Sequence, residues 1–465
     1  FNRFICVNVI VFLVMGITYK VSVKIFKVSV KIFRRFFMKF KKLLSLAVVG
    51  VLSASVLAGC GNSGGGSSSG DQVQLDVFQF KVEFKDQFNK LAQEYMKENP
   101  NVKINITTVG GGGDYGAALK SKFSSGNEPA IFNIGGPQDV KDWQTKLEDL
   151  TDVPLAKEAL PKTLDGVTVG GKVYGLPFNQ EGYGFIYNKA VFEKAGIKAE
   201  DLTTYAKLAE AVKTLDSKKK ELGLDAVFAL PAKEDWVTGL HLSNVFLSPE
   251  FDGDINKAFA AKNVEFKYGK QFKDVLDMQN KFSVQPTASL DYSQQVEKLF
   301  SNGKVAMIQQ GNWVYNSVEQ IDADLAKNIG MLPIPVEGVA EGKLPVGVPM
   351  YWAVNNTKDD ATKKAAKDFL NWVYTSDKGK EYVLTQFKFI PAYKGFDESK
   401  ISDPLAQTIY KYAKDGNTIN WVFMGYPSSW GQKTLGAEIQ RYVSGQASWD
   451  DIVKTSQKAW EQARQ

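Results

Sequence analysis

The sequence predicts an α/β protein of two domains, and three observations support that fold class. Short apolar runs alternate with amphipathic helical patterns from residue 73 onward, which is typical of sheets covered by helices. The first runs follow the order strand, helix, strand, helix, strand, the progression of a doubly wound sheet. Roughly 400 residues follow residue 59, more than a single hydrophobic core usually serves, so two domains are expected.

Local patterns predict each element in turn. Strands are predicted at 73–80 and 102–109, with a helix at 84–99 between them that stops at Asn99-Pro100. A helix at 117–124 and a fully apolar strand at 130–134 follow. The later patterns predict strands at 304–309 and 351–355, helices at 190–195, 204–215, 236–246, 268–281, 292–301, 360–375 and 379–386, and a mostly helical C-terminal stretch.

The charge is divided unevenly along the chain. The net charge is +6, but residues 1–59 contain ten Lys/Arg and no Asp or Glu. The remainder has 47 basic and 51 acidic residues, a net charge of −4. The excess of basic residues therefore belongs to residues 1–59, which we call the leader, and we expect no nucleic-acid partner.

Cysteine and histidine usage excludes several kinds of site. Both cysteines, Cys6 and Cys60, lie at or before the end of the leader, and His241 is the single histidine. The remainder therefore has no disulfide, no Cys-ligated zinc and no cysteine nucleophile, and we expect neither metal nor cofactor. His241 lies between Leu240 and Leu242 in a helical pattern, so we expect it to be structural.

The leader ends in an export signal. A basic stretch at 38–42 precedes an apolar run at 43–58, which is too short for a comfortable spanning helix. The run ends in Leu57-Ala58-Gly59-Cys60, which resembles the bacterial lipobox and implies a signal peptide at 38–59 and lipidation of Cys60. An ordinary membrane anchor with an incidental cysteine is the alternative.

The segments on either side of the signal peptide have separate interpretations. Residues 60–70 form a Gly/Ser-rich tether. Residues 1–37 begin with Phe and repeat Lys-Val-Ser-Val-Lys-Ile-Phe, so we interpret them as translated upstream sequence, with Met38 as the start. A first membrane helix around 5–17 is the alternative.

A dinucleotide-like motif, Gly111-x-Gly113-x-x-Gly116, follows the second strand. The dinucleotide fingerprint also needs an acidic residue at the end of the next strand, and that strand ends in Phe132-Asn133-Ile134. We therefore expect the glycines to form a turn or to let backbone approach another ligand.

Several sequence blocks resemble extracellular solute-binding protein family 1, the carbohydrate branch of ABC-importer lipoproteins that includes maltose-binding protein. They occur in the family's order and cover nearly all of the chain after the tether. Pro129-Ala130 departs from the Pro-Asp that is common in the family. The blocks are Ser-Gly-Asn-Glu-Pro at 125–129, Gly-Lys-Val-Tyr-Gly-Leu-Pro-Phe at 171–178, Tyr-Asn-Lys-Ala-Val-Phe-Glu-Lys-Ala-Gly at 187–196, Phe-Ser-Asn-Gly-Lys-Val-Ala-Met at 300–307 leading to Gly-Asn-Trp at 311–313, and 365–377 leading to Phe-Ile-Pro at 389–391.

The resemblance implies a periplasmic-binding-protein-like fold of type II: two doubly wound lobes joined by a hinge that the chain crosses more than once. The expected crossings lie near 179–184, 347–352 and 399–404. Lobe one would comprise 71–179 plus 351–400, and lobe two 184–346 plus 405–465. The expected protein is a monomer, lipid-anchored to the outside of a bacterial cell membrane.

A sugar ligand needs flat aromatic faces for its C–H surfaces and polar groups for its hydroxyls. The chain has nine Trp, all after the leader. Trp313 matches the family's stacking position, and Glu181 stands at the hinge, where sugar binders often place an acid. Gln79 and Lys81 end the first strand, at the sheet edge that faces the cleft in this fold.

Other candidate contacts follow from their positions near the expected cleft. Trp372 and Trp449 lie in helical patterns, and we expect them to be core. The further candidates are Tyr115 in the glycine loop, Asp139 after the third strand, Trp236 at a helix start, Tyr351 and Trp352 at the second crossing, and Trp421 and Trp430 around Phe423-Met-Gly-Tyr426.

The resemblance implies capture of an oligosaccharide by lobe closure and its delivery to the permease of an ABC importer, with no chemistry on the ligand. A secreted glycoside hydrolase is an alternative and would need two carboxylates at a defined separation. A receptor for ferric iron, a polyamine or a phosphorylated solute is another. Only Arg441 and Arg464 follow the leader, and this scarcity argues against phosphate ligands.

Overall fold

The computed structural model of the protein describes residues 72–110 and 114–465. The described residues belong to one compact unit. The predicted signal peptide, the tether, Cys60, Gly111 and Gly113 lie outside the described residues. No helix within the described ranges is long and apolar enough to cross a membrane.

The described residues form thirteen strands. They are β1 (Val73–Gln79), β2 (Val102–Thr108), β3 (Ile131–Ile134), β4 (Thr168–Val169), β5 (Lys172–Val173), β6 (Leu176–Pro177), β7 (Glu181–Asn188), β8 (Ala226–Phe228), β9 (Val305–Gly311), β10 (Ile329–Leu332), β11 (Leu344–Gly347), β12 (Tyr351–Val354) and β13 (Thr418–Asn420).

Helices alternate with these strands, and four helical segments are π-helices. The α-helices are Lys85–Glu98, Tyr115–Ser124, Pro137–Trp143, Pro154–Lys157, Lys189–Ala195, Tyr205–Lys218, Ser243–Leu247, Ile255–Ala260, Gly269–Lys281, Tyr315–Ile321, Ala323–Lys327, Asp360–Thr375, Asp377–Glu381, Pro404–Lys414, Ala437–Val443 and Trp449–Ala463. The π-helices are Val237–Leu242, Gln294–Phe300, Tyr382–Gln386 and Trp430–Gly436.

The first lobe is built on a five-stranded sheet in the order β2-β1-β3-β12-β6. Strands β1, β2 and β3 are parallel, and β12 pairs antiparallel with both β3 and β6. Helix Lys85–Glu98 packs onto it because Phe88, Leu91 and Tyr95 recur on one face at helical spacing and are buried. We call the elements around this sheet the first lobe.

The second lobe is built on a six-stranded sheet in the order β13-β11-β7-β9-β8, with β10 paired to β7. Strand β7 (Glu-Gly-Tyr-Gly-Phe-Ile-Tyr-Asn) is buried along nearly its whole length and pairs with β9, β10 and β11. Helix Trp449–Ala463 joins this core through Ile452 and Trp460. Of the six strands, the sequence patterns predict only β9.

The chain passes from the first sheet to the second between Pro177 and Glu181, and back between Gly347 and Tyr351. The two-lobed α/β fold class predicted from the sequence is confirmed. The lobe limits given above stay predictions.

Candidate functional site

A recess lies where both lobes meet the segments that cross between them. It encloses about 280 Å³ of empty space, open solvent included. Its lining combines charged, amide and aromatic side chains from both lobes. The residues of this hinge recess are Lys81, Glu83, Glu181, Asn312, Trp313, Tyr315, Asn316, Phe387, Lys388, Phe389 and Asp403.

A buried ion pair joins the two lobes in the recess. Lys81, just beyond β1, pairs with Glu181 at the start of β7, and each side chain is 5% exposed. Desolvation alone would lower the pKa of Lys81, but the carboxylates of Glu181 and Glu83 outweigh it and raise that pKa. Lys81 is therefore charged, and the pair offers a donor and an acceptor beside the recess.

Gln79 positions Lys81 rather than facing a ligand. Its side chain is fully buried. The amide nitrogen donates to Thr108 Oγ1 at 2.6 Å and to the Lys81 carbonyl at 2.9 Å, and the amide oxygen accepts from the Lys81 N–H at 2.6 Å. Gln79 therefore does not line the hinge recess, because its hydrogen-bonding groups fix the end of β1.

An aromatic cluster adjoins the recess in the second lobe. At its centre, the His241 ring stacks on Tyr183 with centroids 4.6 Å apart and an interplanar angle of 18°. The other rings around His241 lie 5.1–5.6 Å away. The aromatic cluster comprises Tyr183, Trp236, His241, Trp313, Trp421 and Phe423.

The setting of His241 makes it an uncharged aromatic ring. Desolvation lowers its pKa to about 3, so the imidazole is neutral near pH 7. A neutral ring among Trp and Tyr side chains presents flat surface and hydrogen-bonding nitrogens without adding charge.

Two glycines leave room for the indoles to lie close to the backbone. A Cβ on Gly311 would lie 2.1 Å from the Trp313 ring, and a Cβ on Gly347 would lie 2.5 Å from Trp421. The Trp313 indole N–H donates to Gln310 Oε1 at 2.9 Å. The indole N–H of Trp421 is buried without a hydrogen-bond partner in the described part of the chain.

The remaining first-lobe candidates are engaged locally. The Tyr115 hydroxyl accepts from the Asn133 N–H at 2.7 Å and lies 3.1 Å from the Phe78 carbonyl. Asp139 Oδ2 accepts from the Gly135 N–H at 2.6 Å, and desolvation raises the pKa of Asp139. Tyr351 is buried on β12. These three residues do not line the hinge recess.

Two predicted ligand contacts are instead core residues. Trp352 is 2% exposed, packs 4.5 Å from Phe178, and donates its indole N–H to the Tyr374 hydroxyl at 2.9 Å. Trp430 is 3% exposed, packs 4.7 Å from Trp460, and donates to the Ser456 carbonyl at 2.8 Å. Neither indole lines the hinge recess, and both are packed among core residues.

The structure thus brings five candidates together, and it adds residues that the sequence did not indicate. Lys81, Glu181 and Trp313 line the recess, and Trp236 and Trp421 belong to the aromatic cluster. The additional residues are Tyr183, His241, Phe423 and the buried Asp403. Among the described residues, no group of three or more His, Cys, Asp or Glu could hold a metal ion.

Two α/β lobes enclosing a recess between their crossing segments define the class of two-lobed solute receptors. The chain belongs to the bacterial extracellular solute-binding proteins, whose family model matches residues 81–380. Proteins of this family are extracytoplasmic binding proteins of transporters, which places this protein outside the cytoplasm.

Comparison with individual proteins agrees with this family. The chain is 26% identical over 380 residues to the multiple sugar-binding protein of Streptococcus mutans, covering 78% of this chain and 85% of that protein. A solved structure of the solute-binding protein RafE with raffinose has a TM-score of 0.70 at 20% identity, covering 84% of this chain and 100% of that one. A chitin oligosaccharide binding protein has a TM-score of 0.72 at 22% identity, covering 85% and 100%.

Proposed function

We propose that the protein captures an oligosaccharide between its lobes and delivers it unaltered to the permease of an ABC importer. The observation that carries the proposal is the aromatic cluster beside the buried Lys81–Glu181 pair. Indole faces suit the C–H surfaces of a sugar ring, and a carboxylate accepts hydrogen bonds from hydroxyls. A ligand with both kinds of surface matches both parts of the site.

The ligands named for the similar proteins support a sugar of two or more units. They are multiple sugars, raffinose and chitin oligosaccharides. The proposed contacts are Lys81, Glu181, Trp236, Trp313 and Trp421, with His241 added from the structure.

We further propose that lipid chains on Cys60 hold the protein at the cell membrane. The support is the basic stretch, the apolar run and the Leu-Ala-Gly-Cys sequence in their expected order. A lipid anchor followed by a Gly/Ser-rich tether would leave the lobes free to reorient near the permease.

A thermal-shift screen of the protein against a sugar panel tests the proposed ligand class. The panel includes raffinose, stachyose, chitooligosaccharides, monosaccharides and, as a non-sugar solute, a polyamine. A true ligand at 100 times its dissociation constant stabilises the folded state by about 2.7 kcal/mol. Stabilisation by the polyamine alone, or release of new reducing ends from the sugars, would contradict the proposal.

A pair of matched variants locates the site. Trp236 and Trp372 are both half-buried, and both donate their indole N–H to a glutamate, at 2.9 and 3.0 Å respectively. Trp372 lies on helix Asp360–Thr375 of the first lobe, outside the recess. Trp236→Ala should weaken sugar binding by about 1.5–3 kcal/mol through lost apolar contact, and Trp372→Ala should leave it unchanged. Equal effects would remove Trp236 from the site.

A further inference from the structure

The two lobes touch at a second place, outside the hinge recess. Gly136 follows β3 in the first lobe and lies against Met424 and Ile255 of the second. A Cβ on Gly136 would lie 2.7 Å from Met424 Cβ and 2.8 Å from Ile255 Cδ1. Nearby in the first lobe, a Cβ on Gly166 would lie 3.2 Å from the same Ile255 atom. The lobes are therefore in direct contact here.

Arg464 adds hydrogen bonds to both lobes at this contact. One guanidinium nitrogen donates to Gln138 Oε1 of the first lobe at 2.9 Å, and another donates to the Gly425 carbonyl of the second lobe at 2.5 Å. The guanidinium also lies 5.1 Å from the Phe259 ring, which Lys141 of the first lobe approaches to 6.0 Å. Hydrogen bonds from a charged donor are stronger than those between neutral groups.

Three consecutive residues connect this contact to the aromatic cluster. The Phe423 ring lies 5.3 Å from His241 and 5.1 Å from Trp421. Met424 meets Gly136 across the lobes, and the Gly425 carbonyl accepts from Arg464. A ligand that contacts the aromatic cluster would therefore contact the same short segment, Phe423–Gly425, that forms the contact between the lobes.

We propose that this contact is a latch that holds the lobes closed and sets how long a bound ligand stays. The latch comprises Gln138, Ile255, Phe259, Met424 and Arg464. Arg464 and Gln138 act as positioning residues, because neither lines the recess. Whatever stabilises the closed state without touching the ligand slows its release, since release requires opening. The ligand part of this proposal rests on the proposed function.

Dissociation kinetics of the sugar test the latch, followed by tryptophan fluorescence in the full chain. Gln138→Ala and Arg464→Ala should each speed dissociation by about tenfold, the size expected for one hydrogen bond to a charged group. Association rates should stay unchanged. The double variant should dissociate no faster than the faster single variant, because both remove the same bond.

Arg441→Ala is the matched control, because Arg441 is exposed and pairs with Glu438 on its own helix. It should leave dissociation unchanged. Arg464→Ala also removes packing of the guanidinium on Trp460, 5.7 Å away. Gln138→Ala does not, so it decides whether Arg464 acts as a latch or only packs locally. Gln138→Glu keeps an acceptor for the guanidinium and should restore slow dissociation. Wild-type dissociation rates in both Gln138→Ala and Arg464→Ala would overturn the latch.

A second measurement separates failure of the latch from failure of the proposed function. Spin labels at Ser121→Cys in the first lobe and Lys213→Cys in the second, in the full chain with Cys6 and Cys60 changed to Ser, report the distance between the lobes. If no sugar binds, the proposed function fails, and the distance between the lobes then tests the latch by itself. A short-distance population that Gln138→Ala and Arg464→Ala deplete, and Arg441→Ala does not, supports the latch. An absent or unresponsive population overturns it.

Discussion

At the residue scale, Asp403 is a buried carboxyl group in the hinge recess with a raised pKa. It is 2% exposed, and its Oδ1 caps helix Pro404–Lys414 by accepting from the Leu405 N–H at 2.8 Å. Its Oδ2 has no partner within the described residues. Desolvation raises the pKa of Asp403 to about 7 and Glu319 adds to this rise, against the lowering effects of backbone N–H groups and Lys388.

This raised pKa predicts a pH-dependent stability difference. Between about pH 4 and 7 the unfolded chain has released the Asp403 proton and the folded protein still holds it, so folding stability is lost as pH rises. The stability of Asp403→Asn relative to wild type should therefore grow over this range, by at most about 1.4 kcal/mol per pH unit, and then level off. Urea unfolding at several pH values measures it.

The control for this prediction is Asp397→Asn. Asp397 is exposed, also caps a helical turn, and has its pKa lowered chiefly by its hydrogen bond with Ser399. Its variant should show no growing advantage with pH. A difference between wild type and Asp403→Asn that stays flat from pH 4 to 8 would contradict the assignment of a raised pKa.

Single residues were predictable where position alone decides exposure to the recess. Lys81 follows the end of β1 and Glu181 begins β7 at a crossing, so their positions indicate the site. Trp352 was not predictable, because successive residues of a strand face opposite sides and sequence does not say which side is enclosed. His241 lies between leucines, but it falls in a π-helix, where the face it presents differs from that of an α-helix.

At the element scale, the first sheet was predictable and most of the second was not. Strands β1, β2 and β3 are apolar runs separated by clear helical patterns and turns. Strand β7 contains Gly182 and Gly184, which are typical of a turn, and so the sequence indicates a hinge where a central strand begins. Both glycines are required by packing: a Cβ on Gly182 would meet Ile409 at 2.8 Å.

Gly184 gives an element-scale prediction. A Cβ there would lie 2.2 Å from the Leu332 carbonyl oxygen, in the pairing of β7 with β10. Gly184→Ala should therefore lower the free energy of unfolding by about 1–3 kcal/mol, because the sheet must shift to admit the methyl group. Denaturant unfolding measures the change.

Gly116→Ala is the matched control for Gly184→Ala. A Cβ on Gly116 would meet only Asp114 Oδ1, at an ordinary 3.6 Å, in helix Tyr115–Ser124. This variant should be as stable as wild type or more stable by up to about 1 kcal/mol, because alanine favours a helix. If both variants unfold alike, close approach of β10 does not explain Gly184.

At the scale of the whole molecule, the proposed lipid anchor predicts where the protein is held. Cys60→Ser should release the protein from washed membranes into the soluble fraction, because lipid on this cysteine is the proposed attachment after cleavage of the signal peptide. Membrane fractionation with detection of the protein measures it. A Ser variant that stays membrane-bound through detergent-free washes would contradict the lipobox interpretation, although sugar binding would be unaffected.

Lobe closure is the whole-molecule prediction that separates a receptor from an enzyme. Lys81 belongs to the first lobe, whereas Trp236 and Trp313 belong to the second, so a ligand gains all of these contacts only when the lobes are closed. A shift from 1% to 99% closed needs about a 10⁴-fold preference of the ligand for the closed state.

Saturating sugar should therefore reduce the radius of gyration in solution scattering, and the sugar should be recovered unaltered. The latch predicts in addition that Gln138→Ala needs more sugar to reach the same compaction, because less of the closing free energy comes from the protein itself. Saturable sugar binding with no change in the radius of gyration would contradict closure, since the contacts from both lobes would then already be in place without the ligand.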